Sequence, residues 1–491
     1  MDRKDADVKP NSKRHRRWLL MISFLVLLFH SLGFLSSIHA VMTNRTAQGA
    51  IAWGVSLNTF PYVAVPMYWV FGRRQFEGYV EAWQGRQKEV EELVVHMHEA
   101  LKPYHIETLE RLPNYEAMKK ISHTPFVRGN EVELLVDGQA TFDSILDGLA
   151  RAERYALVQF YIVHDDGLGR RLKAAMIDCA KRGLDVFFLY DEIGSMHLPD
   201  AYLEELEAAG VNHSEFNSTQ GRRNRFQLNF RNHRKSVIID GLETWIGGHN
   251  VGDEYLGLDP KIGPWRDTHV HIVGPAAQLA QAVFLVDWYW AKRTLPKWNW
   301  EPRAAPSGTE VMAMVVPISP TDDMESAQLL FVHALNAARE RIWIATPYFV
   351  PDQAVMTALR LAAMRGVDVR VIIPEKSDNP VVDLAMLWFM EQLDGVGIRF
   401  YRHIPGFMHQ KVFLVDDDIA TVGSTNFDNR SFRLQFEVNA LFADKPFAQD
   451  IETMLMRDLD QSKPYDPASL HEASFLKRLA VSVARLTAPL L

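Results

Sequence analysis

Cysteine is almost absent from the 491 residues: Cys179 stands alone. That excludes an internal disulfide framework and any zinc or iron–sulfur centre built on clustered thiolates. A surplus of positive charge is missing too. With 53 Lys and Arg against 61 Asp and Glu the net charge is −8, which disfavours nucleic-acid binding by bulk electrostatics while leaving room for a local basic stripe. Low-complexity composition is also lacking. The chain is 47% hydrophobic and 23% charged, enough for a sizeable core, and its length suggests roughly three domains at about 150 residues each.

What is present is unevenly spread. Residues 1–17 hold Arg3, Lys4, Lys9, Lys13, Arg14, Arg16 and Arg17 against Asp2, Asp5 and Asp7. Trp18–Ile38 then runs 21 residues with no formal charge apart from a possible proton on His30, long enough to cross a hydrocarbon core of ~30 Å. A second apolar run, Gly49–Phe71, follows a loop holding only Arg45 and closes on Arg73 and Arg74. Basic flanks outside a weakly charged loop predict a transmembrane helical hairpin (18–72) with both ends cytoplasmic, hence a multi-pass membrane protein. A cleaved signal peptide ending near Ala40 is the alternative for the first run. A buried soluble segment is the alternative for the second, which Asn58, Pro61 and Pro66 interrupt.

Residues 73–125 read as a membrane-proximal linker, in which Glu77, Glu81, Glu89, Glu91 and Glu92 interleave with Val90, Leu93, Val94 and Met97 in an amphipathic helical pattern. Beyond them strands alternate with helices: Glu131–Val136, Ala156–Val163 and Leu184–Tyr190 as strands, Ala140–Ala152 and Gly169–Arg182 as helices. That alternation predicts an α/β layer architecture.

The chain then repeats. Glu153-Arg154 … Tyr161-Ile162-Val163 recurs as Glu340-Arg341 … Tyr348-Phe349-Val350, and Arg182-Gly183-Leu184-Asp185-Val186 as Arg365-Gly366-Val367-Asp368-Val369. The third match is chemical: His233-x-Lys235-x4-Asp240 against His409-x-Lys411-x4-Asp416, each followed by a glycine turn and an asparagine, Asn250 and Asn426. Two copies with the same spacing in a repeated context are not an accident of composition. On a strand, residues two apart share a side, so the His and Lys of each copy project together. Two facing halves would gather two His, two Lys and two Asn into one pocket: a nucleophile, an acid and donors around a tetrahedral anion, with no metal and no cofactor.

These motifs, with Phe230–Asp240, Gly247–Tyr255, Pro264–His269, Gly423–Phe432 and the ending Arg485–Leu491, resemble the phospholipase D superfamily and, within it, the bacterial cardiolipin synthases. The resemblance implies two pseudo-symmetric α/β/α lobes packed face to face (126–305 and 306–470), preceded by the hairpin and followed by a C-terminal amphipathic segment (471–491). It implies a membrane phosphatidyltransferase that joins two phosphatidylglycerols into cardiolipin through a phosphatidyl-histidine, with His233 as nucleophile and His409 as acid and base. The near-symmetric sequence does not itself assign those two roles. Lys235 and Lys411, helped by Asn250 and Asn426, would neutralise the phosphoryl oxygens. Asp240 and Asp416 complete the catalytic motif and are read as holding the fold. A carboxylate downstream of each motif would orient its imidazole; matching positions assign Asp267 to His233 and Glu437 to His409.

Other readings stay open at this level. The acceptor could be phosphatidylethanolamine or another alcohol, the reaction could be hydrolysis, and nuclease members of the superfamily or a non-enzymatic lipid scaffold share the motifs. Arg222, Arg223, Arg225, Arg231 and Arg234, interleaved with Phe226 and Phe230, could form a nucleic-acid stripe. Beside a membrane anchor they read better as a platform for anionic lipid headgroups, with no nucleic acid as partner. His269 and His271 form an H-x-H that can ligate metal and are read instead as satisfied or exposed histidines. Trp388 and Phe389 are read as core. Phe475–Leu486, with Leu476, Leu479, Val483 and Leu486 set against Lys477, Arg478 and Arg485, is a helix for the membrane surface or for docking on the core.

Overall fold

The computed structural model describes residues 12–44, 46–72, 76, 79, 87–106, 115–216, 229–322 and 324–491. Residues 1–11, Arg45, Arg73, Arg74, Glu77, Glu81 and the run Arg222–Phe226 lie outside them. The described chain forms two units, one built on residues 12–72 and the other on 79–216 with 230–491.

In the first unit α1 (Ser12–Thr43) is one continuous helix, and its stretch His15–Thr43 is long and apolar enough to cross a membrane. Trp18, Phe24, Leu27 and Phe34 are exposed along it, a surface that hydrocarbon solvates better than water. The second apolar run departs from the expected single helix. It is broken into α2 (Ala47–Thr59) and α3 (Pro61–Phe71), with Phe60 between them at φ −130° and ψ 57°. Pro61 disfavours helical geometry at the residue before it and starts the next helix itself. At 1.5 Å per residue the two pieces reach only about 20 and 17 Å. Both pack on α1 around Ala40, Leu57, Ala64, Val65 and Tyr68. A Cβ at Gly33 would stand 2.2 Å from the Leu57 carbonyl oxygen, so glycine sets how closely α1 and α2 approach. Asn58 donates to Ser37 Oγ at 2.7 Å, and Trp69 Nε1 donates to Ser36 Oγ at 3.1 Å.

The second unit is an α/β body. Its first half contributes β1 (Val127–Val136), β2 (Tyr155–Phe160), β3 (Asp185–Asp191), β4 (Asn212–Phe216), β5 (Arg231–Asn232), β6 (Ser236–Ile239), β7 (Glu243–Gly247), β8 (Trp265–Arg266) and β9 (Thr268–Val273). Its second half contributes β10 (Val311–Ile318), β11 (Arg341–Ala345), β12 (Phe349–Val350), β13 (Asp368–Pro374), β14 (Arg399–His403), β15 (Phe407–Met408), β16 (Val412–Val415), β17 (Ile419–Gly423), β18 (Phe427–Asp428), β19 (Gln435–Ala443) and β20 (Ser462–Tyr465).

Outward from an antiparallel β1–β10 seam, one side of the large sheet runs β1-β9-β7-β6-β2-β3-β4. The other runs β10-β19-β17-β16-β11-β13-β14, with β20 added. On both sides the first four pairings are antiparallel and the next two parallel. The repeat in sequence is thus a repeat in strand order, and pairing β1 with β10 covers what would otherwise be two open sheet edges. One core gathers Phe142, Ile145, Leu149, Phe188 and Trp245; the other gathers Phe331, Leu359, Met390, Phe413 and Phe427. Trp388 packs against the second core and Phe389 is buried in it.

The repeated small motifs do matching structural work. Both helices before the Arg-Gly corners end at arginine, and Gly183 and Gly366 take φ +84° and +89°, conformations open to glycine at little cost. Arg182 donates to the carbonyls of Leu149, Ala150 and Ala152, and Arg365 to those of Leu335 and Ala338. Asp240 and Asp416 share φ values of 55° and 53°. The carboxylate of Asp240 accepts from the amides of Glu153, Arg154 and Tyr155, and that of Asp416 from Arg339, Glu340 and Arg341. At ~3.3 Å per strand residue each lies about 16 Å along the chain from its motif lysine. The motif places both aspartates in the catalytic set; their geometry makes them anchors for the starts of β2 and β11.

Asp240→Ala should therefore lower folding stability by about 2–3 kcal/mol, the scale for losing charge-assisted bonds to buried amides. Chemical denaturation measures the loss, and the folded fraction should keep its turnover number.

Candidate functional site

Two very short strands assemble the site. β5 pairs in parallel with the start of β19, Arg231 opposite Gln435 and Asn232 opposite Phe436, and the His233 amide donates to the Phe436 carbonyl at 2.9 Å. β15 pairs in parallel with β8, Phe407 opposite Trp265 and Met408 opposite Arg266, and the His409 amide donates to the Arg266 carbonyl at 2.7 Å. Each histidine motif thus enters along the other half's chain, one residue short of that half's carboxylate.

The consequence is a crossed pairing. His233 Nδ1 lies 3.0 Å from both carboxylate oxygens of Glu437, and His409 Nδ1 lies 2.8 Å from Asp267 Oδ2. This corrects the sequence-based assignment, which paired each histidine within its own copy. Register decides it: the residue after Asn232 faces the one after Phe436, and the residue after Met408 faces the one after Arg266.

The lysines converge on the histidines although neither His-x-Lys lies on a strand, which corrects the placement expected from sequence: residues 233–235 fall between β5 and β6, and residues 409–411 between β15 and β16. Lys235 Nζ donates to the His233 carbonyl at 2.7 Å. Lys411 Nζ donates to the His409 carbonyl and lies 2.8 and 3.0 Å from the two ring nitrogens. Both histidines are only 7% exposed, and Lys235, Lys411, Asp267 and Glu437 are buried. Tyr161 sets its ring edge-on to His233 at 4.8 Å, while Trp265 and Phe407 stand 5.1 and 5.7 Å from the His409 ring. Tyr161 was legible as part of the repeated Tyr-x-Val match, but its place beside an imidazole was not.

The asparagines differ. Asn250 Oδ1 accepts from the Ile162 amide and its Nδ2 donates to Tyr255 Oη at 3.3 Å, so most of its amide is committed to the scaffold. Asn426 is buried with its Oδ1 unpartnered among the described residues. Ser424, overlooked in the motif's glycine turn, donates to Glu437 Oε2 at 2.5 Å.

Burial sets the electrostatics. It pushes His233 well below the ordinary imidazole range, with Lys235, Lys411 and His409 adding to the shift. It brings His409 down to about 4, with Lys411 reinforcing and Asp267 opposing. Lys235 is lowered by burial, and Lys411 falls to about 8 with Asp267 and Glu437 opposing. The carboxylates diverge. Burial raises Glu437 to about 8 against the pull of Lys235 and Ser424. Burial also works against ionised Asp267, but Lys411, His249 and the His409 hydrogen bond outweigh it and hold the group well below the usual carboxylate range. Two carboxyl groups pushed apart in this way are equipped for different proton tasks.

The remaining candidates fall elsewhere. His269 and His271 do not converge on a common point: His269 Nδ1 is 3.0 Å from His249 Nδ1, whereas His271 stacks on Trp245 and bonds Glu243 at 2.8 Å. Among the described residues no group of three or more His, Cys, Asp or Glu is arranged to hold a metal. Arg231 and Arg234 are buried and paired, with Glu192 at 3.2 Å and Asp287 at 2.6 Å. They therefore leave the surface platform to which the sequence assigned them. Arg222, Arg223 and Arg225 lie outside the described residues.

Residues 331–459 match the family model described as cardiolipin synthase, PLD-like domain. Cardiolipin synthase A of Pseudomonas entomophila (strain L48) is 43% identical over 474 residues, covering 95% of this chain and 98% of that protein. Cardiolipin synthase A of Pseudomonas aeruginosa (strain LESB58) is 44% identical over 475 residues, covering 96% of each. Among solved structures, phosphatidylserine synthase from Haemophilus influenzae Rd KW20 aligns over 77% of this chain and 100% of its own, with a TM-score of 0.58 and 15% identity, a likeness of fold.

The crossed pairing is open to a direct check. With 15N-labelled histidine, Glu437→Gln should move the Nδ1 resonance of His233 and spare that of His409, and Asp267→Asn should do the reverse; the opposite pattern would restore the within-copy assignment.

Proposed function

Because the chain belongs to the phospholipase D-like cardiolipin synthase family, we propose that it transfers a phosphatidyl group between two phosphatidylglycerols, making cardiolipin and releasing glycerol. The observation that carries the mechanism is the pair of crossed imidazole–carboxylate contacts. Each sets Nδ1 on a carboxyl group and turns Nε2 away from it for chemistry, with Lys411 Nζ 3.0 Å from Nε2 of His409.

In the first step His233 Nε2 attacks phosphorus. The bond from phosphorus to the headgroup glycerol oxygen breaks, and His409 gives that oxygen its proton. In the second step His409 takes the proton from a glycerol hydroxyl of the second lipid, that oxygen attacks phosphorus, and the bond to His233 breaks. Lys235 and Lys411 balance the phosphoryl charge in both steps. Firmly ionised Asp267 favours an imidazolium at His409, and Glu437, raised towards neutrality, favours a neutral nucleophile at His233. Both rings are nearly buried, which restricts the water that would divert the intermediate to phosphatidic acid.

The domain scheme belongs to the same proposal: duplicated lobes at 126–305 and 306–470, with the linker 73–125 before them. So does an inner-membrane location in which α1 crosses the bilayer, α2 and α3 return as a broken second span, and the catalytic lobes lie on the cytoplasmic side. Phospholipids are the substrates, and no nucleic-acid partner is assigned.

Product analysis by mass spectrometry, with pure phosphatidylglycerol and then with added phosphatidylethanolamine, tests the reaction. Cardiolipin and glycerol should form from phosphatidylglycerol alone. Phosphatidic acid without a dimeric lipid would mean hydrolysis, and a strict need for phosphatidylethanolamine would change the second substrate. Under alkaline quench, in which a phosphorus–nitrogen bond survives, His233→Ala should leave no phosphatidyl-enzyme, whereas His409→Ala should still accumulate it from a substrate with a good leaving group.

The pH profile has a predicted sign. Lys411 carries its charge below about 8 and loses it above, so kcat/KM should fall as pH rises through about 8, and Lys411→Arg should remove that limb from whatever activity it retains.

A further inference from the structure

The second unit carries an apolar ridge that the reaction does not use. The helix Phe475–Ala484 is capped by Ser474, whose hydroxyl accepts from the Lys477 amide. It is seated on the second core through Val481 and Ala484, with Ala488 in the 3₁₀ turn that follows. At about 100° per residue, Phe475, Leu476, Leu479 and Val483 share an arc of roughly 100° on the opposite side. These four side chains are 70, 74, 47 and 55% exposed, and Leu486 in the next turn is 70% exposed. The sequence left a choice between docking and a membrane surface; the helix docks by one face and leaves the other uncovered.

Its charge is equally unspent. Lys477, Arg478 and Arg485 are exposed, and none has a carboxylate partner among the described residues; Arg485 lies over the Trp388 ring at 4.5 Å. A symmetric contact with a second copy would set this basic border against itself. An anionic lipid surface neutralises it while taking up the leucines, the pattern of an interfacial helix. The segment is also braced to the site. Arg430, four residues beyond Asn426, donates its amide to the Leu491 carbonyl at 2.7 Å and its guanidinium to the Leu490 carbonyl at 3.1 Å.

We propose that Phe475–Leu486 is an interfacial membrane-contact surface that inserts Phe475, Leu476, Leu479, Val483 and Leu486 into an anionic leaflet, with Lys477, Arg478 and Arg485 at headgroup level. It rests on the reading of the substrate as a bilayer phospholipid and adds a docking face for the catalytic body beyond α1. Membrane contact here would hold the end of the second motif towards the lipid layer from which substrate comes.

The full-length protein tests this with an environment-sensitive fluorophore on Leu479→Cys, and on Leu476→Cys should the first variant misfold, since the native Cys179 is buried and slow to label. In vesicles of phosphatidylglycerol and acyl-brominated phosphatidylcholine the ridge label should shift to the blue and be quenched several-fold more than the same label on exposed Glu207→Cys. Emission as water-like as that control overturns the proposal. A blue shift that follows protein concentration without lipid also overturns it, by identifying self-association. The readout is emission and not turnover, so a failure to make cardiolipin would count against the reaction while leaving this result standing.

Discussion

Each motif imidazole is held by a carboxyl group from the opposite half of the duplication, and the site exists only because of that exchange. β5 on β19 and β15 on β8 each carry one histidine across to the other half. Either half alone would leave a buried carboxyl group without its donor and a buried lysine without its counter-charge. Losing a buried hydrogen bond to a charged group costs about 1.5–3 kcal/mol. The same contacts therefore join the halves and orient the rings, and the β1–β10 seam supplies the alignment in which both crossings register.

Within this symmetry the two ends of the site are built differently. Gly248 and Ser424 occupy the same place in the two glycine turns. A Cβ at Gly248 would lie 2.1 Å from Asp267 Oδ1, so the shorter acid sits tight against backbone and also accepts from the Thr268 amide at 2.8 Å. At the other end Ser424 fills the space and donates to the longer Glu437. Behind these acids, His249 and His269 in one half stand where Thr425 and Asn439 hydrogen-bond in the other, at 2.8 Å from Asn439 Nδ2 to Thr425 Oγ1. Against its burial, Lys411, His249 and the His409 hydrogen bond hold Asp267 ionised, whereas at Glu437 burial outweighs Lys235 and Ser424 and favours the proton. A near-symmetric motif can in this way carry out two different proton tasks.

Much of this was readable in the residues. The recurring Arg-Gly and His-x-Lys matches lead into strands of equal rank in the two sheet halves, β3 with β13 and β6 with β16, and the two-residue spacing put His233 with Lys235 and His409 with Lys411 although neither motif lies on a strand. The crossing was not readable, because two-residue strands such as Arg231–Asn232 and Phe407–Met408 are too short to show periodicity, and their partners are set by tertiary register. Composition also misread Arg231 and Arg234, whose charges are consumed by Glu192 and Asp287 inside the fold. Gly49–Phe71 was apolar enough to look like one span, yet the local steric effect of Pro61 on Phe60 outweighed hydropathy.

The lowered proton affinities of both imidazoles raise a problem for any mechanism that needs an acid, and the charge balance of the site answers it. Near neutral pH Lys411 keeps its proton and Asp267 is ionised, while Glu437, raised to about 8, is mostly protonated. Burial first, and then the charge of the neighbouring lysines, is why His233 and His409 resist protonation. A phosphodiester brings the missing anion. At an effective dielectric of about 20 a unit charge some 4 Å away is worth about 4 kcal/mol, ample to lift His409 beside ionised Asp267 into the range where it donates a proton. On the proposed reaction the substrate would thereby supply the charge that lets His409 act as its acid.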